Sequence, residues 1–303
     1  MDYDAVAAHF LLPTETAPPE PTLPDTPARR LRDAMEPIAT IGWWSREAAT
    51  AVTGLGHDFF DGYVWGRAAS LGADVSAPVI VAAFGWFEPS MLTLVYNHGR
   101  SISTRDAVLE ARSGGATAGL IAATVGVGDD SIAVVAGLLD TLDELDGCGR
   151  PLFAALRDLP RPATAHGQAW RAAELVREHR GDGNIAATVA SGLGTAEANV
   201  LTELWLGYAA GEYSATRGLS TDGVADALRA LRSRGWVDES GTLTAEGRAE
   251  RGAIEAATDQ SQTSLIAALG DRLDDVVSAA ETISAAILAH HATPADPRKR
   301  AAG

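Results

Sequence analysis

The densest group of side chains able to do chemistry lies in the string Arg177-Glu-His-Arg-Gly-Asp-Gly183. It sets a titratable imidazole, His179, beside a guanidinium, Arg180, and a carboxylate, Asp182, which suits acid–base or anion-binding chemistry. A structural account competes with that reading. Gly181-Asp-Gly183 has the composition of a helix stop, so His179 would gain from the C-terminal helix dipole and Asp182 would cap the next helix. The second group lies in the first half of the chain. Tyr63 and Arg67 are four residues apart and share a helical face, with Phe59 and Phe60 close by. Trp43 and Trp44 precede Ser45, a good helix N-cap, and Glu47 follows in the first turn. A buried Arg67 needs an anionic partner, for which Glu47 is the candidate. Trp65 and Trp170 extend the aromatic set, and core packing is the competing account of all these rings. Tryptophan is rarely buried whole, however, and its N–H and the tyrosine hydroxyl want partners.

The elements that must position these residues follow from local patterning. Six prolines between residues 11 and 28 predict a disordered arm over 1–28. Helical spacing then runs from Arg29 to Val52 and from His57 to Leu71, and Pro78 fits the first turn of a helix between Val75 and Phe84. Two long helices, Thr104 to Ala123 and Asp130 to Leu145, break at Gly126-Val-Gly-Asp-Asp130, and Gly147-Cys-Gly-Arg-Pro151 is the boundary between halves. The second half opens with a helix from Gln168 to His179, and a further helix follows from Asn184 to Ser191. Glu197 to Tyr208 and Thr221 to Arg234 come next, with Val224, Leu228 and Leu231 turned inward. Val237 to Leu243 reads as a short hairpin tipped by Ser240-Gly241. Helices from Ala245 to Ala268 and Asp271 to His290 close the chain before a frayed tail, 292–303.

Composition narrows the function classes. The 303 residues carry a net charge of −16 and a pI near 4.8, which opposes DNA and anionic membranes as partners because both demand Lys and Arg. Cys148 is the only cysteine, so neither an intrachain disulfide nor a thiolate metal cluster is available. No signal peptide and no membrane-length apolar run is visible, and the expected location is the cytoplasm. A metal centre would need His57, His166 and His179 to converge. There is no phosphate-binding loop, dinucleotide fingerprint or nucleophile elbow. Neither metal nor cofactor is therefore expected.

The stretches Leu193–Leu204, Ser220–Leu231 and Gly235–Arg248, with the exit Leu243-Thr-Ala-Glu-Gly247, resemble the winged helix-turn-helix of MarR-type proteins. Sliding back 150 residues sets Arg217 on Arg67, Ala227 on Ala77, Gly235-Trp236 on Gly85-Trp86 and Ser240 on Ser90. Glu47, Phe60-Asp-Gly-Tyr-Val-Trp-Gly-Arg-Ala68, Leu71-Gly72, Trp170, Arg177–Gly183 and Glu255-Ala-Ala-Thr-Asp259 make the likeness more specific. They are similar to an actinobacterial family of duplicated MarR-related proteins. The resemblance implies an all-α fold with a small β-wing, made of tandem winged-helix repeats over 29–147 and 148–291. Long terminal helices would join the repeats as a pseudo-dimer within one chain, monomeric or paired as a homodimer.

The groove-facing parts carry the wrong sign for DNA. Asp222 and Asp226 share the outward face of the recognition-helix position with Arg229 and Ser233, the wing holds Asp238 and Glu239, and no Lys or Arg lies between Arg67 and Arg100. The reading is thus a repurposed scaffold that binds a small organic molecule between its halves. The pocket would be built from Trp43, Trp44, Phe60, Tyr63, Trp65, Arg67, Trp170, Arg180 and Asp182. Any catalysis would be cofactor-independent acid–base chemistry, with His179 or Glu47 as proton carrier, Tyr63 as donor and Arg67 or Arg180 as anion anchor. The alternative is a ligand-responsive MarR-like regulator that binds DNA.

Overall fold

The computed structural model describes residues 3–11 and 23–301. Helix α1 (Tyr3–Phe10) stands before α2 (Pro27–Trp44), which Thr26 caps through the Arg29 N–H. Ser45 then caps α3 (Arg46–Thr53) through the Ala48 N–H, as its position before Glu47 implied. The first lobe continues with α4 (Phe59–Ala68), α5 (Ala77–Phe84) and α6 (Pro89–Ile102). Helices α7 (Arg105–Ala123), α8 (Asp129–Ala136), α9 (Leu138–Asp143) and α10 (Pro151–Arg157) lead to α11 (Ala165–Ala190). The second lobe holds α12 (Thr195–Trp205) and α13 (Thr221–Ser233). The chain closes with α14 (Ala245–Gln260), α15 (Thr263–Leu269), α16 (Leu273–Ala289) and α17 (Pro297–Ala301).

Three larger apolar clusters, with a small fourth around Leu206, Tyr208 and Tyr213, organise these helices. The largest runs through α2, α7, α8, α11 and α16, with Met35, Ile38, Trp170 and Ile283 fully buried. One smaller cluster lies in each lobe, around Trp65, Phe84 and Tyr96 in the first and Leu201, Leu231 and Trp236 in the second. The lobes also touch each other directly. The Glu88 N–H donates to the Arg217 carbonyl at 2.8 Å, and the Asn199 amide donates to the Trp86 carbonyl at 2.9 Å.

Several expectations from the sequence need correction. The helix thought to stop at Gly181-Asp-Gly183 runs unbroken through 26 residues as α11. Asp182 does cap a helix, but a distant one: its Oδ2 accepts the Phe153 N–H at 3.0 Å, in the first turn of α10, where Arg150 supplies no side-chain cap. Gly183 marks close packing, since a Cβ there would sit 2.1 Å from Ser261 Oγ. Helix α6 had no counterpart in the patterning; Glu88 starts it by accepting the Ser90 and Met91 N–H groups. The hairpin is a single antiparallel bridge, Val237 to Leu243, and no strand occurs among the described residues.

Parts of both terminal stretches lie among the described residues. Tyr3 to Phe10 is helical, Tyr3 Oη donates to the Trp44 carbonyl at 3.2 Å, and Leu11 is buried. Most of the proline-rich stretch, residues 12–22, lies outside the described residues. In the tail, Thr293 is buried, and Arg298 stacks its guanidinium over the Tyr208 ring at 3.9 Å.

Glycine placement on α7 gives a sharp test of the packing. A Cβ on Gly115 would lie 2.8 Å from the Ala48 Cα of α3, whereas one on the adjacent, exposed Gly114 would meet nothing within 4 Å. Gly115→Ala should therefore lower stability by about 1–3 kcal/mol, the usual cost of overpacking. Gly114→Ala should raise it by about 0.5–1 kcal/mol through helix propensity alone. Thermal unfolding of the two variants should move in opposite directions, and equal shifts would refute the crossing.

Candidate functional site: an arginine-walled cavity between the lobes

Helix α11 carries charged side chains that are largely covered, and Arg177, Glu178 and Arg180 each meet an opposite charge. Arg67 from α4 forms a two-point ion pair with Glu178, at 2.9 Å through Nε and 2.6 Å through Nη2. Arg177 lies 3.1 Å from Glu178 and 3.3 Å from Glu36, which in turn lies 3.4 Å from Arg32. Glu255 of α14 receives Arg29 at 3.0 Å, Arg251 at 2.8 Å and Arg180, while Arg180 also reaches Asp259 at 3.0 Å. Burial works against the Arg67 charge, but Glu178 outweighs it and holds the guanidinium above its ordinary pKa. Glu178 and Glu255 likewise sit below the ordinary carboxylate range: burial alone would raise them, and the surrounding arginines more than reverse that.

Two adjoining cavities open beside this network. The smaller, about 50 Å³, is walled by Arg67, Arg177, Arg180, Arg217 and Arg251, with Glu255, Asn184 and Phe84 among its other neighbours. The larger, about 660 Å³, is lined by aromatic rings from both halves, including Trp43, Trp44, Phe60, Phe87, Tyr208 and Tyr213. Tyr63, Arg177 and Arg217 line both, so the two spaces meet at these three side chains. Arg177 stacks 5.2 Å over Trp43, and Arg217 stacks 4.9 Å over Phe87. Helices α1 and α17 complete the wall with Phe10, Arg298, Lys299 and Arg300, and the Lys299 ammonium sits 4.4 Å over the Phe10 ring.

The side chains singled out in the sequence divide into two groups. Trp43, Trp44, Phe60 and Tyr63 line the larger space, and Arg67 and Arg180 line the smaller. The other five stand elsewhere. Trp170 is fully buried in the central cluster and gives its N–H to the Ala39 carbonyl at 3.2 Å. Trp65 donates to the Ser103 carbonyl at 3.2 Å inside the first lobe. Glu47 lies on α3, away from both cavities, and Arg67 takes Glu178 as its partner instead. His179 is buried with Nδ1 2.7 Å from Gln262 Oε1 and its ring edge against Phe153, and burial lowers its pKa to about 4. Asp182 is occupied by α10, so the two strongest acid–base candidates of the 177–183 string lie behind the cavity wall.

His57 likewise serves a local tie, with Nδ1 2.8 Å from Asp61 and Nε2 2.7 Å from Ser103 Oγ. That is the bonding order of an acyl-transfer triad, but the set lines neither cavity. Among the described residues no group of His, Cys, Asp and Glu could hold a metal ion.

Patterning missed Arg177, Arg217, Tyr213 and Glu178. A signal for two of them was present: the same shift of 150 residues that sets Arg217 on Arg67 also sets Tyr213 on Tyr63, and both pairs line the cavities.

A helical scaffold with paired lobes and a short turn-helix unit in the second is of helix-turn-helix type. The chain belongs to a helix-turn-helix family, whose sequence model matches residues 28–294. No curated protein and no solved structure matches it. Among the described residues no helix is long and apolar enough to cross a membrane.

The buried pair behind the wall has a pH signature. Burial pushes the Asp182 carboxyl up to about 7, against the Phe153 N–H bond and with help from Glu178. The unfolded group titrates near 4, so folding favours the protonated form: this contribution is complete below pH 4 and lost as pH rises through 7. His179 acts in the opposite sense, being neutral when folded, with its contribution complete above 6.5 and lost as pH falls through 4. Asp182→Asn keeps an acceptor for Phe153 and should stabilise the protein at pH 8, by at most about 4 kcal/mol at ~1.4 kcal/mol per unit. Melting curves from pH 4 to 8 should show the gain vanish towards pH 4; a gain independent of pH would contradict the assignment.

Proposed function

We propose that the protein binds a small organic molecule in the cleft between its lobes. The observation that carries this reading is the 660 Å³ aromatic space joined to an arginine-walled recess. Ligand sites are concave and largely apolar, with a few convergent polar groups, and this cleft has that make-up. The reading is one of binding: His179 and Glu47, the proton carriers that catalysis would have used, stand outside the cleft.

The finer architecture fits tandem MarR-like winged-helix repeats. Gly85 and Gly235 both adopt left-handed φ, 67° and 76°, each follows the helix in its recognition position, α5 or α13, and each precedes a tryptophan. Tyr63-Arg67 and Tyr213-Arg217 then occupy equivalent places on the two sides of the cleft. On this reading the pseudo-dimer is internal and its interface is the binding site.

Family membership favours a second reading, a ligand-responsive regulator on a DNA-binding type of scaffold. Charge limits it. On α13, Arg229 is paired with Asp226, and Arg234 donates to the Ser191 and Gly192 carbonyls. Asp222, Asp238 and Glu239 remain exposed on the same lobe. In the first lobe α5 has no charged residue, and the turn after it is covered by α12 through Thr195 and Asn199. A duplex would have to displace these pairings before any phosphate contact formed.

Native mass spectrometry of protein purified from its own host should reveal a bound organic molecule released on denaturation. Replacing Trp43 and Phe60 with Ala should remove the bound mass while the circular dichroism spectrum stays helical. A mobility shift on DNA upstream of the protein's own gene should show only weak, salt-sensitive retention. Tight sequence-specific retention at moderate salt would transfer the assignment to the regulator.

A further inference from the structure

The chemistry of the ligand can be read from the guanidinium groups that line the cleft. Arg29, Arg32, Arg67, Arg177, Arg180 and Arg251 are linked through ion pairs to Asp33, Glu36, Glu178, Glu255 and Asp259. Arg217 stands outside that network: among the described residues it has no carboxylate within 4.0 Å and rests on Tyr213 Oη and the faces of Phe87 and Tyr213. Arg177 and Arg217 stand where the two spaces join, because both line each of them. Arg180, which lines the recess and is buried, has an Nε with no hydrogen-bond partner among the described residues. A half-buried guanidinium without a carboxylate beside it, and a buried one with an unsatisfied N–H, both favour an anion in the space they line.

The larger space continues the pattern. Arg298, Lys299 and Arg300 stand on its wall against Glu212 and Asp296, and Lys299 is the chain's only lysine. A recess of about 50 Å³ admits a small polar group and no ring, whereas 660 Å³ with stacked aromatic walls admits a flat or fused-ring body.

We infer that the cleft takes an acidic ligand. Its flat apolar body lies in the larger space, and a carboxylate- or phosphate-type group is held at the junction by Arg177 and Arg217, with Arg67 and Arg180 behind. This rests on the small-molecule reading above and specifies the ligand's charge. Arg217 is the discriminating residue: it is half-buried and outside the ion-pair network, so its loss leaves the fold's charge pairs intact.

The test compares three probes of one ring system on the full chain: 1-naphthoate, 1-naphthyl phosphate and neutral 1-naphthalenemethanol, followed by quenching of tryptophan fluorescence. At least one anion should bind about tenfold more tightly than the alcohol, a ratio corresponding to ~1.4 kcal/mol. The tighter anion identifies the head group, and the preference should weaken with salt. Arg217→Gln should bring the affinity for the anion down to about that for the alcohol, and Arg229→Gln on the outer face of α13 should leave the preference as it is. Equal affinity for anion and alcohol, or a preference that survives in Arg217→Gln, would overturn the acidic-ligand assignment and leave the cleft as a neutral pocket. Failure of all three probes to bind would overturn the small-molecule reading itself.

Discussion

The pairing of Arg67 and Glu178 is the contact on which the rest of the architecture turns. It joins α4 of the first lobe to the middle of α11, and each group would be untenable without the other. Isolated buried charges cost several kcal/mol, and a well-formed pair recovers that cost only when its geometry is held and its remaining hydrogen-bonding atoms are met. Here the pair is two-pointed, and Glu178 also receives Arg177, which reaches Glu36 on α2. The same logic repeats around Glu255, where three arginines from α2, α11 and α14 meet one carboxylate. A purely apolar seam between these helices could slide by a turn with little penalty. A seam of matched charges cannot, since a slip would strand several ions at once. The network thus sets the register of α2, α11 and α14, and with it the separation of the lobes.

That register creates the cleft. Helix α11 must remain straight through Gly181-Asp-Gly183 to bring Arg177 and Arg180 to the recess while Trp170 stays in the central cluster. Gly183 allows the close approach of Ser261, and Asp182 spends its carboxylate on the first turn of α10. Most of the rings then come from the first half, with Tyr208 and Tyr213 from the second, and α11 and α14 supply Arg177, Arg180, Asn184, Arg251 and Glu255 to the recess. The two sides contribute unlike chemistry, which one chain holding both halves permits and which two identical subunits about a symmetric cleft could not supply.

Sequence reasoning reached the helices wherever local signals agreed. Thr104 before Arg105, Ser45 before Arg46 and Pro78 in the first turn of α5 each mark a start that the structure keeps. It failed where tertiary contacts outvoted local ones. Gly181-Asp-Gly183 has the composition of a stop, yet the segment stays helical because its side chains are engaged on every face. The site was legible in part for a similar reason. Spacing of four residues showed that Tyr63 and Arg67 share a face, but no local rule could say that Arg67 would meet Glu178, 111 positions away, rather than Glu47. The signal that did reach across the chain was the shift of 150 residues, which sets Tyr213 on Tyr63 and Arg217 on Arg67, four side chains that all line the cavities.

The same repeat sharpens the question of what the scaffold retains. A helix-turn-helix that reads DNA needs an exposed, basic recognition face and a lobe free to settle into a groove. In this chain Arg229 of α13 is paired with Asp226, Arg232 and Arg234 donate to backbone carbonyls, and the turn that closes α5 is bonded to α12. Basic side chains have not been lost overall so much as placed elsewhere: seven buried arginines lie within the protein, several of them walling the cleft, while the outer face of the second lobe presents Asp222, Asp238 and Glu239. Guanidinium groups that would attract phosphate on an outer face are here held apart from bulk solvent, where each is worth more to a single small anion than it would be on an open surface. The distribution of arginine, more than its amount, is what the proposed reading of the cleft as a binding site rests on.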